Sequence, residues 1–406
     1  MADFHQNGNI ATLHNLRTRS LDDLTYELVA FSETRKITLV LPCLYSEIEG
    51  PALGQIVSEL AKVPYLHRVV VGLDQADEDQ FRKAKRFFSD LPQQHIVVWN
   101  DSPRMKALGQ RLDVMGLAPL EPGKGKNVWS CMGYLIACAD TSVMALHDCD
   151  ILNYDRELLA RLVYPVANPG FGYQMAKGFY PRIDDKRLNG RVTRLLVSPL
   201  LIALKKVVGD RDYLDYLRSF RYPLSGEFAM RMMTLPDLRI PSDWGLEVGV
   251  LSEAWRNLAP QSVCQVEIAD AYDHKHQDLS AEDASKGLSR MSTDICKAIF
   301  RKLASDGTVF TPNLFRSLKA TYYRVALDLL DSYYDDAKMN GLSLDRHMEE
   351  ESVELFADNI IRAGQLFLEN PNETPFIATW NRVHAADPSF LSDFKRAAAE
   401  DDAEFN

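Results

Sequence analysis

The sequence predicts an α/β fold with a mostly parallel central sheet and a helical C-terminal extension. Short β-branched runs alternate with amphipathic helical stretches over the first 150 residues, the pattern of strand–helix units that feed one sheet. Polar segments follow three of these runs, at 42–47, at 74 and at 148–150. Ligands in such sheets lie at the carboxyl ends of the strands, so the three segments are expected to line one crevice. From about residue 285 the chain reads as helix almost to its end.

The elements follow in order. Residues 1–35 are polar, with Leu21, Leu24, Leu28 and Phe31 at helical spacing, and read as an N-terminal helical arm. The run 37–41 (ITLVL), closed by Pro42, is the first strand. Residues 49–63 read as a helix with Pro51 near its first turn. A second strand covers 67–73 and ends at Asp74, 77–91 is an amphipathic helix, and 96–99 is a third strand. Residues 126–140 are helical and 143–146 form the fourth strand. Beyond 151 the pattern is mixed: a helix over 192–207 interrupted at Pro199, a turn at 223–227, a helix entered through 244–250 and a late strand at 264–268. In 313–338, Leu314, Leu318, Tyr322, Val325, Leu329 and Tyr333 recur at helical spacing, a stripe for core or dimer contact rather than for a ligand. The last ten residues (AAAEDDAEFN) read as an acidic, disordered tail.

The formal net charge of −11 argues against a nucleic-acid partner, which would need a basic face. Residues 1–8 are polar with no apolar region following, so no secretory leader is expected. The most apolar stretch, 195–208, contains Pro199 and two lysines and is too short and broken to span a membrane. Six cysteines at 43, 131, 138, 149, 264 and 296 form no Cys-x-x-Cys pair. That spacing argues against a zinc site and for a reducing, cytoplasmic setting.

Five segments carry candidate chemistry. Asp148 and Asp150 stand two apart beyond a strand end, so in extended chain both carboxylates face one side. Like charges that close repel unless a cation lies between them. Carboxylate oxygens suit Mg²⁺ or Mn²⁺, ions that also hold a diphosphate. A capped strand end is the plain alternative. Gly123-Lys124-Gly125 precedes a helix, where glycines let backbone amides approach an anion and lysine adds charge. Its spacing is not that of a Walker A loop, and a basic surface turn is the alternative. Gly190, Arg191 and Thr193 at a helix start could seat a carboxylate or phosphate, or simply be solvated. His274 and His276 follow the late strand, and a neutral imidazole is a good third ligand beside two carboxylates. Glu247 sits on an otherwise apolar helix start and needs a partner in the protein or the substrate, unless it only offsets the helix dipole.

In order, Pro42-Cys-Leu-Tyr-Ser-Glu47, Gly123-Lys-Gly125, Asp148-Cys-Asp150, Gly190-Arg-Val-Thr193, Pro223-Leu-Ser-Gly-Glu227, Gly245-Leu-Glu-Val-Gly249 and His274 resemble one family over roughly 37–300. It is the retaining GT-A glycosyltransferases that make glucosyl-3-phosphoglycerate. The resemblance implies a glycosyltransferase domain at 36–300, with a nucleotide-sugar half at 36–151 and an acceptor half at 152–300, and a helical module at 301–406. It implies that Pro42, Leu44, Glu47, Asp74, Lys124 and Asp148 bind an NDP-glucose donor. Asp150 and His274 would hold Mg²⁺ or Mn²⁺, and Gly190, Arg191, Thr193 and His276 would seat 3-phosphoglycerate. Glu247 and Asp150 would flank the reacting centre. The implied enzyme is a metal-dependent hexosyltransferase making a compatible solute, with no membrane or nucleic-acid partner and a homodimeric assembly. Where the chain departs from the family pattern, at 43–46, 73–75 and 276, the choice of nucleotide and acceptor stays open. A related transferase using GDP-mannose or free glycerate, or a non-catalytic sugar-nucleotide scaffold, are the alternatives.

Overall fold

The described residues contain ten strands: β1 Ala11–Leu13, β2 Ile37–Leu44, β3 Leu66–Asp74, β4 Gln94–Trp99, β5 Val143–Leu146, β6 Met175–Phe179, β7 Ile183–Asp184, β8 Arg187–Leu188, β9 Phe228–Arg231 and β10 Val263–Glu267. The computed structural model describes residues 6, 8–119, 121–184, 186–273, 287–371 and 376–404. Eight of the strands form one sheet in the order β1-β10-β6-β9-β5-β2-β3-β4, while β7 and β8 make a separate hairpin. Every pairing in the large sheet is parallel except those of β9, which runs against both β5 and β6. The carboxyl ends of seven strands and the amino end of β9 therefore share one edge.

Alternation along the strands sorts the core into two apolar layers, one on each face. Leu39, Leu41, Val69, Val71, Val143 and Ala145 enter one layer with the helix Arg156–Ala167. Val40, Val70, Val98, Met144 and Leu146 enter the other, with the helix Lys124–Cys138 and the C-terminal helices. The apolar stripe of the helix Pro312–Met339 belongs to this core: Leu318, Tyr322 and Val325 are buried, and Tyr322 Oη donates to the Leu195 carbonyl at 2.5 Å.

Three local expectations differ. The arm before residue 36 carries its predicted helix, Leu21–Ser32, closed by a Ser20–Asp23 capping box, but it also lays β1 against β10 as the sheet's edge strand. The helix predicted over 192–207 is a π-helical turn, Val192–Val197, followed by the helix Ser198–Val208 with Pro199 in its first turn. Proline has no N–H for the carbonyl one turn back, and the Leu195 carbonyl accepts from Tyr322 Oη instead. The acidic tail is not disordered. Residues up to Glu404 form the helix Phe390–Glu404, with Ala397, Ala398 and Asp401 buried. Its acids meet cations of the first half of the chain: Arg104 lies 2.7 Å from Asp401 and 2.6 Å from Glu404, and Lys85 lies 3.0 Å from Asp402. Composition alone registers the repulsion within such a run but not the arginine it docks on.

Candidate active site

Lys124 is the first residue of the helix Lys124–Cys138. Its ammonium lies 2.6 Å from Asp148 Oδ1 and 3.1 Å from Glu247 Oε1. One cation thus joins three segments separated by up to 123 residues in sequence. Glu247 is in the first turn of the helix Leu246–Asn257, and Asp148 follows β5. The glycines beside Lys124 also admit a close backbone contact. A Cβ on Gly125 would stand 1.9 Å from the Pro241 carbonyl oxygen, and one on Gly123 would stand 2.3 Å from that of Ser242. They let the 241–242 backbone press against the helix start, and that contact brings Glu247 within reach of Lys124.

Asp150 lies among carboxylates. Burial, then the charge of Asp148, with lesser contributions from Glu47 and Glu227, raise its pKa to about 7 against the opposing pull of Lys124. A carboxyl group so disposed is poised to exchange its proton for a cation. His147 does not compete for that role. It is buried beside Tyr154, ring centroids 5.5 Å apart, and burial lowers its pKa to about 3.

The residues expected on the nucleotide side gather at the ends of β2 and β3. Pro42 pairs in register with Gly72 and Leu44 with Asp74, and Glu47 sits in the short helix Tyr45–Ile48 that follows. Asn100 donates to Asp74 Oδ1 at 2.8 Å. Burial still holds the Asp74 carboxyl up at about 6, with Asn100 and Asn127 pulling the other way.

The residues expected on the acceptor side are braced by a C-terminal helix. Gly190 takes φ +78°, a left-handed conformation suited to glycine. Arg191 Nε and Arg194 Nη1 each donate at 2.8 Å to Glu349, a buried residue of the helix Arg346–Glu369. The Thr193 hydroxyl is buried and has no hydrogen-bond partner among the described residues. Arg182 ties this segment to the rest. Its carbonyl accepts from Asn189 N at 2.8 Å, and its guanidinium donates to Tyr222 Oη at 3.2 Å and lies 5.7 Å over the Tyr272 ring.

Sequence reasoning did not find Arg182, Lys177, Tyr180, Tyr272 or Glu349, and quoted Glu227 without a role. Fully buried charges at Lys177 and Glu227 have no periodic signature, and Glu349 lies in a helix whose partner cannot be read from spacing. His274 and His276 lie outside the described residues. Among the described residues no three His, Cys, Asp or Glu side chains converge as a metal cage. No helix among the described residues is long and apolar enough to cross a membrane.

No family model matches the chain. A glucosyl-3-phosphoglycerate synthase of Persephonella marina is 46% identical over 404 residues, covering 100% of both chains. One of Methanococcoides burtonii is 35% identical over 407 residues, covering 99% of each. Among solved structures, the Mycobacterium tuberculosis glucosyl-3-phosphoglycerate synthase bound to Mn²⁺, UDP-glucose and phosphoglyceric acid superposes with a TM-score of 0.53. It is 22% identical, over 73% of this chain and 88% of that one. The same enzyme with Mg²⁺ and UDP gives the same score. The likeness to these structures shows the fold, a GT-A core.

Proposed function

The chain belongs to the glucosyl-3-phosphoglycerate synthase family, and from that premise we propose that it moves glucose from a nucleoside diphosphate to the 2-hydroxyl of 3-phosphoglycerate with retention of configuration. The observation that carries this reading is the bridge Lys124 makes between Asp148 and Glu247. It brings the lysine loop, the Asp-X-Asp segment and the Glu247 helix to one point at the carboxyl edge of the sheet, where ligands of such sheets bind.

The crowding of Asp148, Glu47 and Glu227 around Asp150 fits a divalent cation, held by Asp150 and His274 in the family pattern, with Asp148 beside them on the donor. When bound, that ion supplies positive charge for a departing diphosphate. The chain's own groups do the rest. Lys124 offers an ammonium donor to the diphosphate. Asp74 and the ends of β2 and β3 shape the nucleotide cleft. Glu247, already engaged by Lys124, is a poor nucleophile and serves to orient the acceptor. Retention then follows from attack on the face the phosphate leaves, with the phosphate taking the hydroxyl proton. Arg191 meets the acceptor's anionic groups, Glu349 fixes the arginine, and Thr193 packs behind it. Six free thiols and phosphorylated substrates fit a cytoplasmic setting.

Incubation of the chain with UDP-glucose or GDP-glucose and either 3-phosphoglycerate or glycerate, read by mass spectrometry, tests the proposal. We expect glucosyl-3-phosphoglycerate, with UDP-glucose as the first donor to try because the mycobacterial enzyme was crystallised with it. Glucosyl transfer only to free glycerate, or none to either acceptor, would refute it.

A further inference from the structure

A buried polar cluster that the transfer chemistry does not use lies against Asp148. Glu227, fully buried just before β9, accepts hydrogen bonds from Tyr180 Oη at 2.5 Å and Tyr272 Oη at 2.6 Å. The two tyrosine rings stack, centroids 3.7 Å apart and nearly parallel, so both hydroxyls reach one carboxyl group. Tyr180 leaves the end of β6 and Tyr272 lies beyond the end of β10, so three segments at the carboxyl edge of the sheet meet at Glu227.

The same turn is held a second way. The Ser225 hydroxyl donates to the Gly178 carbonyl at 2.7 Å. The Ser225 carbonyl accepts from the ammonium of Lys177, which is also fully buried. Between these anchors, Gly226 lies flat against the aspartate: a Cβ there would stand 2.3 Å from Asp148 Oδ2. Any side chain at 226 would displace that carboxylate, so the turn sets how far Asp148 can swing. The far end of the cluster is pinned as well. Tyr272 N donates to the Pro181 carbonyl at 3.1 Å, and Leu152 N, two residues past Asp150, donates to the Asp273 carbonyl at 2.9 Å.

Buried carboxylates and ammoniums rarely raise stability over well-packed apolar residues of similar volume. A cluster of them touching the carboxylate two residues before a candidate cation ligand is better explained by geometry, because groups that orient a metal's surroundings tune its affinity. We propose that Glu227 is a positioning residue: with Tyr180, Tyr272 and the bare backbone of Gly226, it fixes the Asp148 carboxylate, and through it the Asp-X-Asp segment, for a divalent cation that binds together with the donor. This rests on the transferase reading of the site.

Full-length Glu227→Gln and Tyr272→Phe test it, the latter removing a single hydroxyl so that the fold is kept. The readouts are the Mn²⁺ dissociation constant with UDP present, by paramagnetic resonance titration, and kcat and KM for transfer. The dissociation constant should rise about 10- to 100-fold and kcat should fall. The KM for 3-phosphoglycerate should hold, and excess Mn²⁺ should restore part of kcat. Variants that bind Mn²⁺ and turn over as the wild type does overturn the proposal. So does a lowered melting temperature with unchanged Mn²⁺ affinity, which would make the cluster a structural prop. A wild type that neither binds Mn²⁺ with UDP nor transfers glucose overturns the transferase reading itself, and this inference with it.

Discussion

Asp150 is the residue whose environment is most legible in physical terms. Its carboxyl titrates near 7 in the metal-free fold, against about 3.9 in an unfolded chain. A raised carboxyl pKa contributes stability that is fully present below the unfolded value and is lost as pH climbs through the folded one. Metal-free protein should therefore lose melting temperature between about pH 4 and pH 7 on this account, and Asp150→Asn should blunt the loss. At pH 8 the variant should melt above the metal-free wild type, and at pH 4 the two should coincide. Mn²⁺ should raise the wild-type melting temperature more at pH 8 than at pH 5, because the cation and the proton compete for one carboxylate. Scanning calorimetry at these pH values is the check, and parallel curves for variant and wild type would contradict the assignment. The pair Asp148 and Asp150 could be found by eye in the sequence because a two-residue spacing is local. Glu227 could not, since its tyrosine partners stand 47 and 45 residues away.

At the scale of elements, the helix Lys124–Cys138 carries the site lysine and depends on the end of the chain. Trp129 and Trp380 stack with ring centroids 4.0 Å apart. Each indole N–H donates to the other segment's backbone, Trp129 to Ala378 at 2.9 Å and Trp380 to Trp129 at 3.0 Å. Gly133 leaves room for the Trp380 ring. Trp380→Ala should cost about 3–5 kcal/mol in denaturant unfolding and lower activity, although residue 380 is far from Asp148 in sequence. A second dependence runs through the helix Arg346–Glu369. Glu349→Gln weakens the hold on Arg191 and Arg194, so the KM for 3-phosphoglycerate should rise several-fold while the KM for the sugar nucleotide stays. Steady-state kinetics with each substrate varied in turn separates the two. The strands were readable in the sequence because buried parallel strands are continuous apolar runs. The π-helical turn at Val192–Val197 was not, since its hydrogen-bond pattern leaves no mark in residue spacing.

Over the whole molecule, the sheet supplies an edge and the C-terminal helices brace what stands on it. The N-terminal strand β1, the helix Phe390–Glu404 and the Glu349 clamp are all long-range contacts, and no local pattern announces them. What the sequence did reveal was the order of motifs, because each is a short segment at a strand or helix end. Asp148 and Asp150 with Lys124 should form a cation-dependent sugar-nucleotide site. Calorimetric titration of UDP-glucose into wild type and Asp150→Ala, with and without Mg²⁺, decides it. Binding that requires Mg²⁺ in the wild type and is lost in the variant is the predicted result. Equal binding by both proteins, with or without the metal, would contradict it.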